Sequence, residues 1–372
     1  MRRRNFIKSA ATGLAGIYLA PELSAGIREQ KPFIDRLQPA PVDGGFSMDD
    51  YWVWGSSVIK GEDGKYHMFA SRWSKEVGFG NWVTNSEVVR AVAASPEGPY
   101  TCEETVLPVR GRHYFDGLVT HNPRVIRYNG LFLLYYFGTT YDFDQPTRSN
   151  PQVAAPDWRN AWMNKRIGLA VSKSVYGPWE RMDRPVIQPR PGKWDASITS
   201  NPAPVVIPET REILLMYKSS SEGPEPPLLL GVSKAQNPRG PYTRLSDQPI
   251  FRFETAENQK NDVEDPFVWY TNGRFEAIMK DRFGHICGEE GGGIRAWSSD
   301  GITWNLYPQP LAYSRTISWD NGETTVQNHF ERPFLLIEGG VPTHLFAATG
   351  KGPRAWQFEH TWNMVIPLDN NS

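Results

Sequence analysis

The chain has 372 residues, enough for one large domain or two ordinary ones, and 40 Lys and Arg against 41 Asp and Glu leave a formal net charge of -1. That balance argues against a nucleic-acid partner, which selects a basic surplus. With 14 Trp, 15 Tyr and 18 Phe, only 22% charged residues, 33 Gly and 31 Pro, the composition excludes a disordered chain and an all-helical one.

In chain order, residues 1–25 read as an address. Arg2-Arg3-Arg4-Asn5-Phe6-Ile7-Lys8 has the form of a twin-arginine export signal, and Leu23-Ser24-Ala25 that of a cleavage site. The weakly apolar stretch 9–20 between them is shorter than the roughly 20 residues that span a bilayer. The expectation is a periplasmic or secreted protein that starts near Gly26, with no membrane insertion after signal removal. Cys102 and Cys287 allow one disulfide but no cysteine metal cluster.

Residues 26–372 repeat a pattern five times. Each unit opens on an apolar strand near a proline, turns tightly, and returns on an aromatic and aliphatic strand. The first is Ser56-Ser57-Val58-Ile59, Asp63-Gly64 and 66–70. The second is His121-Asn122-Pro123-Arg124-Val125-Ile126, Asn129-Gly130 and 131–137. Ser200-Asn201-Pro202, Glu264-Asp265-Pro266 and Glu331-Arg332-Pro333 open the other three. Asn-Gly between two such runs is a strong hairpin signal, because a type I′ turn needs positive φ at both central residues. In phase with this series run a small-residue strand and a Gly-Pro-aromatic turn, as in Gly98-Pro99-Tyr100, Gly177-Pro178-Trp179 and Gly240-Pro241-Tyr242. Two motifs recurring in phase predict an all-β, five-bladed β-propeller with four-stranded antiparallel blades. Residues 31–46 are expected to supply the strand that closes blade five. The long stretch 139–162, with Pro146, Pro151, Pro156, Trp158 and Trp162, is expected to wall the axial funnel.

These prolines, Asn-Gly hairpins and Gly-Pro-aromatic pairs resemble those of the five-bladed glycoside hydrolases, family 43 and relatives such as 32, 117 and 130, over residues 30–372. The resemblance implies an exported, exo-acting, inverting glycosidase acting on an oligosaccharide or polysaccharide fragment. A glycan-binding propeller without activity, or a glycoside phosphorylase, is the alternative. Family 43 places its general acid two residues before the blade-four proline, where Glu264 stands, with Asp265 in place of the usual glycine. Its blade-one base position falls on Gly55, so Asp50, beside Asp49, is the nearest candidate base, and Asn201 replaces a third aspartate. In the family 117 pattern a last-blade histidine takes part, which points to His329 and favours Asp265 over Glu264. The acid is expected to have a raised pKa. Trp54, Arg72, His121, Asn122, Asn201, Glu331 and Arg332 are the expected substrate-binding residues, with Trp73, Trp82, Trp194, Arg124 and Arg295 as further candidates. No cofactor is implied; the axis leaves room for a structural ion.

Overall fold

The computed structural model describes residues 31–223, 226–251, 253 and 262–370, so the export signal and residues 254–261 lie outside the described part. From Pro32 onward the chain builds one compact unit. It contains five four-stranded antiparallel sheets. Blade one is Tyr51–Lys60, Tyr66–Ser74, Glu87–Ala93 and Thr101–Leu107. Blade two is Val119–Tyr128, Leu131–Thr139, Arg166–Ser172 and the two-residue Glu180–Arg181. Blade three is Ser200–Val206, Ile213–Ser219, Leu229–Ala235 and Thr243–Arg244. Blade four is Val263–Thr271, Arg274–Asp281, Gly293–Ser298 and Asn305–Tyr313. Blade five is Glu331–Glu338, Val341–Lys351 and His360–Pro367, completed by Phe46–Ser47 from the start of the chain. The expected closing segment 31–46 is thus mostly a lead-in. It contributes the turn Phe33–Arg36 and single bridges at Leu37 and Ala40, and the strand begins only at Phe46.

The hairpins form as their residues dictate. Asn129-Gly130 and Asn272-Gly273 each place two successive residues at positive φ, the geometry that matches strand twist. Apolar side chains on the two faces of each sheet pack into five clusters, one between each pair of neighbouring blades. Two buried aspartates fix the loops that enter blades two and three. Asp116 accepts from the Tyr136 hydroxyl (2.6 Å) and pairs with Arg110, and Asp195 repeats this with Tyr217 (3.0 Å) and Arg190. Cys102 and Cys287 are free thiols on blades one and four, so the disulfide does not form. Among the described residues no helix is long and apolar enough to cross a membrane.

One feature repeats in all five blades. The inner strand carries a bulge whose residue is left-handed: Gly55 (φ 51°), Asn122 (52°), Asn201 (50°), Asp265 (58°) and Arg332 (56°), with the register slipping at each. In four blades proline follows, which suits a position where the ladder needs no N–H. Non-glycine residues seldom adopt this conformation. Its recurrence marks the axis as the place where the fold accepts strain.

Candidate functional site

The five bulges aim their residues at the axis, and four of them join side by side. The Asn122 amide donates to Asn201 Oδ1 (3.1 Å), and the Asn201 amide donates to Asp265 Oδ1 (2.5 Å). Arg332 donates to the same carboxylate from its backbone N–H (3.1 Å) and its guanidinium (3.3 Å). Gly55 completes the circle between Asn122 and Arg332. A Cβ there would stand 2.7 Å from Asn122 Oδ1 and 3.3 Å from Arg332 Cγ, so the blade-one carboxylate of the family 43 pattern has no space in this ring.

On the ring sits a cavity of about 360 Å³ walled by Trp54, Trp73, Trp82, Trp158, Trp162 and Trp356. Trp158 and Trp162 come from the helix Ala155–Met163 within the stretch expected to wall the funnel. Three buried carboxylates, Glu264, Asp265 and Glu331, bring oxygens within 4.8 Å of one another. That spacing would suit a cation, but the Lys280 ammonium already bonds Glu331 and lies 3.4 Å from Glu264. Lys218 donates to Glu264 at 2.9 Å, and Arg282 stands 3.5 Å away.

This charge pattern reverses one expectation. Burial alone would raise the Glu264 carboxyl, but Lys218, Lys280 and Arg282 outweigh it and hold the group well below the usual carboxylate range. Glu331 is likewise pushed up by burial yet held low by Lys280 and His329. Neither keeps a proton near neutral pH, so the raised pKa expected of an acid at Glu264 is not what this environment produces.

Two histidines flank the floor. His121 Nδ1 bonds the Ser86 hydroxyl (2.7 Å), and burial followed by the charge of Arg332 keeps the ring neutral. His329 Nδ1 bonds Glu331 (3.2 Å) while its Nε2 is buried without a hydrogen bond. Its ring packs 3.9 Å from that of Trp356. It lines a smaller cavity of about 220 Å³ that shares Glu264, Arg282, Glu331 and Trp356 with the main one.

Other expected residues fall elsewhere. Asp50, the candidate base, is exposed and lies outside the cavity lining, as does Asp49. The inner strand starts at Tyr51, well before its bulge at Gly55, which leaves Asp50 at the rim. Arg72 also misses the cavity: it pairs with Glu87 (2.9 Å) and Thr105 within blade one. Arg124 donates to the carbonyls of Ser56 and Pro333, tying three blades together. Arg295 pairs with Glu276, and Trp194 stacks on Tyr217. Trp54, His121, Asn122, Asn201, Glu264, Asp265, Glu331 and Arg332 do share the main cavity.

Sequence reasoning missed the cations. Lys218 and Lys280 are the penultimate residues of the second strands of blades three and four, and Lys165 precedes the third strand of blade two. Lys165 is 2% exposed, with its ammonium 3.7 Å from the centre of the Trp162 ring. Burial, then the charge of Lys218, pulls its pKa well below that of an ordinary lysine. A cation–π contact contributes about 0.5–2 kcal/mol, whereas withdrawing an ammonium from water costs several kcal/mol. The aromatic cage therefore does not offset the burial.

No protein-family model matches this sequence, and no curated protein does. Solved structures do match in fold. Zg3597, a family 117 glycoside hydrolase produced by the marine bacterium Zobellia galactanivorans, superposes with a TM-score of 0.60 at 14% identity, over 90% of this chain and 89% of that one. A thermostable family-43 glycoside hydrolase gives 0.59 at 14% identity, over 90% and 94%. An alpha-L-arabinofuranosidase from Lactobacillus brevis gives 0.53 at 13%, over 92% and 95%. The chain shares the five-bladed propeller of these glycoside hydrolases.

Proposed function

We propose that this protein is an exported glycoside hydrolase that releases a sugar from the end of a glycan. The observation that carries the reading is the convergence of three carboxylates within 4.8 Å at the floor of a tryptophan-walled axial cavity. Indole faces suit the apolar faces of a sugar ring. The ring of bulge residues lies across the axis beneath, so a chain end fits better than the middle of a chain. The fold shared with hydrolases of families 43 and 117 supports the same reading.

In this reading Asp265 attacks the anomeric carbon, while His329, oriented by Glu331, gives its Nε2 proton to the leaving oxygen. Water then hydrolyses the glycosyl ester, returning a proton to His329 and a free carboxylate to Asp265. Inversion through Asp50 loses its basis, because that residue is exposed and lines neither cavity, whereas His329 lines the smaller one, which shares Glu331 with the main cavity.

Asp265→Asn and His329→Gln should each lower kcat about 10²–10⁴-fold, with saccharide binding still detectable by calorimetry. Proton NMR of the first product should show the retained anomer; an inverted product would overturn the role given to Asp265. A second reading, a glycan binder without turnover, is favoured by Gly55, Asn122, Asn201 and Arg332, which leave four of the five ring positions without a carboxylate. Binding with no product from any glycan would establish it. For export, Arg3→Lys with Arg4→Lys should retain the protein in the cytoplasm on cell fractionation, and undiminished export would overturn that part.

A further inference from the structure

Each carboxylate on the cavity wall already has its cation. Glu264 is held by Lys218, Lys280 and Arg282, Glu331 by Lys280, and Asp265 by Arg332. Lys165 is the group left over. It lines the main cavity and lies over the Trp162, Trp82 and Phe137 rings, and no carboxylate pairs with it among the described residues. Along the main cavity Lys165, Lys218, Arg282 and Arg332 face Glu264, Asp265 and Glu331; Arg282 is also paired with Asp262 (2.9 Å) and Lys280 with Glu331, so the unmatched cation is Lys165. A wall with one unmatched buried cation is completed by an anion. A neutral sugar would leave the buried Lys165 ammonium without a counter-charge.

We propose that the axial cavity takes a negatively charged sugar, one bearing a carboxylate or a sulfate ester, and that Lys165 receives the anionic group. This rests on the cavity being the saccharide site proposed above. Both groups present a compact oxyanion that an ammonium can bond with charge assistance. The tryptophans hold the sugar ring while the lysine reads its substituent. The burial that depresses the Lys165 pKa is what a bound oxyanion would relieve.

Isothermal titration of the full chain against two matched pairs tests this: a trisaccharide of uronic acids with its methyl ester, and a sulfated galactose trisaccharide with its desulfated form. The charged member of at least one pair should bind about tenfold or more tightly than its neutral partner, as expected for a charge-assisted hydrogen bond. Which pair shows the preference identifies carboxylate or sulfate. Lys165→Met should bring the charged ligand down to the affinity of the neutral one and leave the neutral one unchanged. Equal affinities within both pairs for the wild-type protein would overturn the proposal while leaving the saccharide site standing, and so would a folded Lys165→Met that keeps the preference. The wild-type comparison decides the matter even where Lys165→Met does not fold. No binding by any of the four overturns both the saccharide reading and this one.

Discussion

Glu264 faces three cations from two blades with a single carboxylate, and its removal has a calculable direction. Leaving Lys218, Lys280 and Arg282 around a neutral amide should cost Glu264→Gln about 3–5 kcal/mol, the usual penalty for breaking a buried ion pair, read as a lower unfolding midpoint in denaturant. The pH dependence follows from the depressed carboxyls of Glu264 and Glu331. Their folded pKa values lie below the unfolded one, so the unfolded state takes up protons first as the pH falls. Their contribution is complete above about pH 4.3, the ordinary glutamate value, and drains away as the pH drops toward the folded values. Thermal melts at stepped pH should show this loss in the wild type and a shallower one in Glu264→Gln. At this scale the sequence was half legible. Glu264, Asp265, Glu331 and Arg332 could be found because each sits beside a motif proline. Lys165, Lys218 and Lys280 could not, because a lysine at the end of an apolar strand ordinarily caps it in water. Here the strand end abuts the axis, a fact that exists only once the blades have assembled.

At the scale of elements, the insert between the second and third strands of blade two acts as a side wall. Its helix Ala155–Met163 is pinned by the Trp158 indole donating to the Gly80 carbonyl (2.9 Å) and by Thr139 donating to the Ala161 carbonyl (2.8 Å). Asn81 and Asn85 of the facing blade-one segment donate to the Pro151 and Pro146 carbonyls (2.7 and 2.9 Å). Deleting the whole insert would therefore disturb folding as well as binding, and a point change separates the two. Trp162→Ala, which removes none of these hydrogen bonds, should weaken saccharide binding about tenfold or more, as loss of an anchoring aromatic does, while the thermal midpoint moves less than in Trp158→Ala. A fall in midpoint with binding intact would assign Trp162 to packing. Strand number and hairpin turns were legible because turn chemistry is local. The bulges were not, since positive φ at an asparagine or arginine is set by what the neighbouring blades require. That hidden offset is why the strand brings Gly55 to the axis and leaves Asp50, five residues upstream, exposed at the rim.

At the scale of the whole molecule, the propeller is closed by two residues. Phe46 and Ser47 pair with Asn363 and Trp362, and Phe46 is buried in the cluster between blades five and one. Without them blade five would present an open strand edge. Phe46→Ala should cost about 3–5 kcal/mol, seen as a lowered midpoint and concentration-dependent light scattering. The ring at the axis gives that closure a chemical readout. Its members, from Gly55 to Arg332, are drawn from all five blades, so no fragment short of the full circle possesses a floor. On the proposed function a glycan seated there binds only the closed form and stabilises it by mass action, about 2.7 kcal/mol at a hundredfold excess over Kd. Two halves expressed separately, split between blades three and four, would then report their own reunion: sugar would bind to neither half, and to the pair only when the circle is whole.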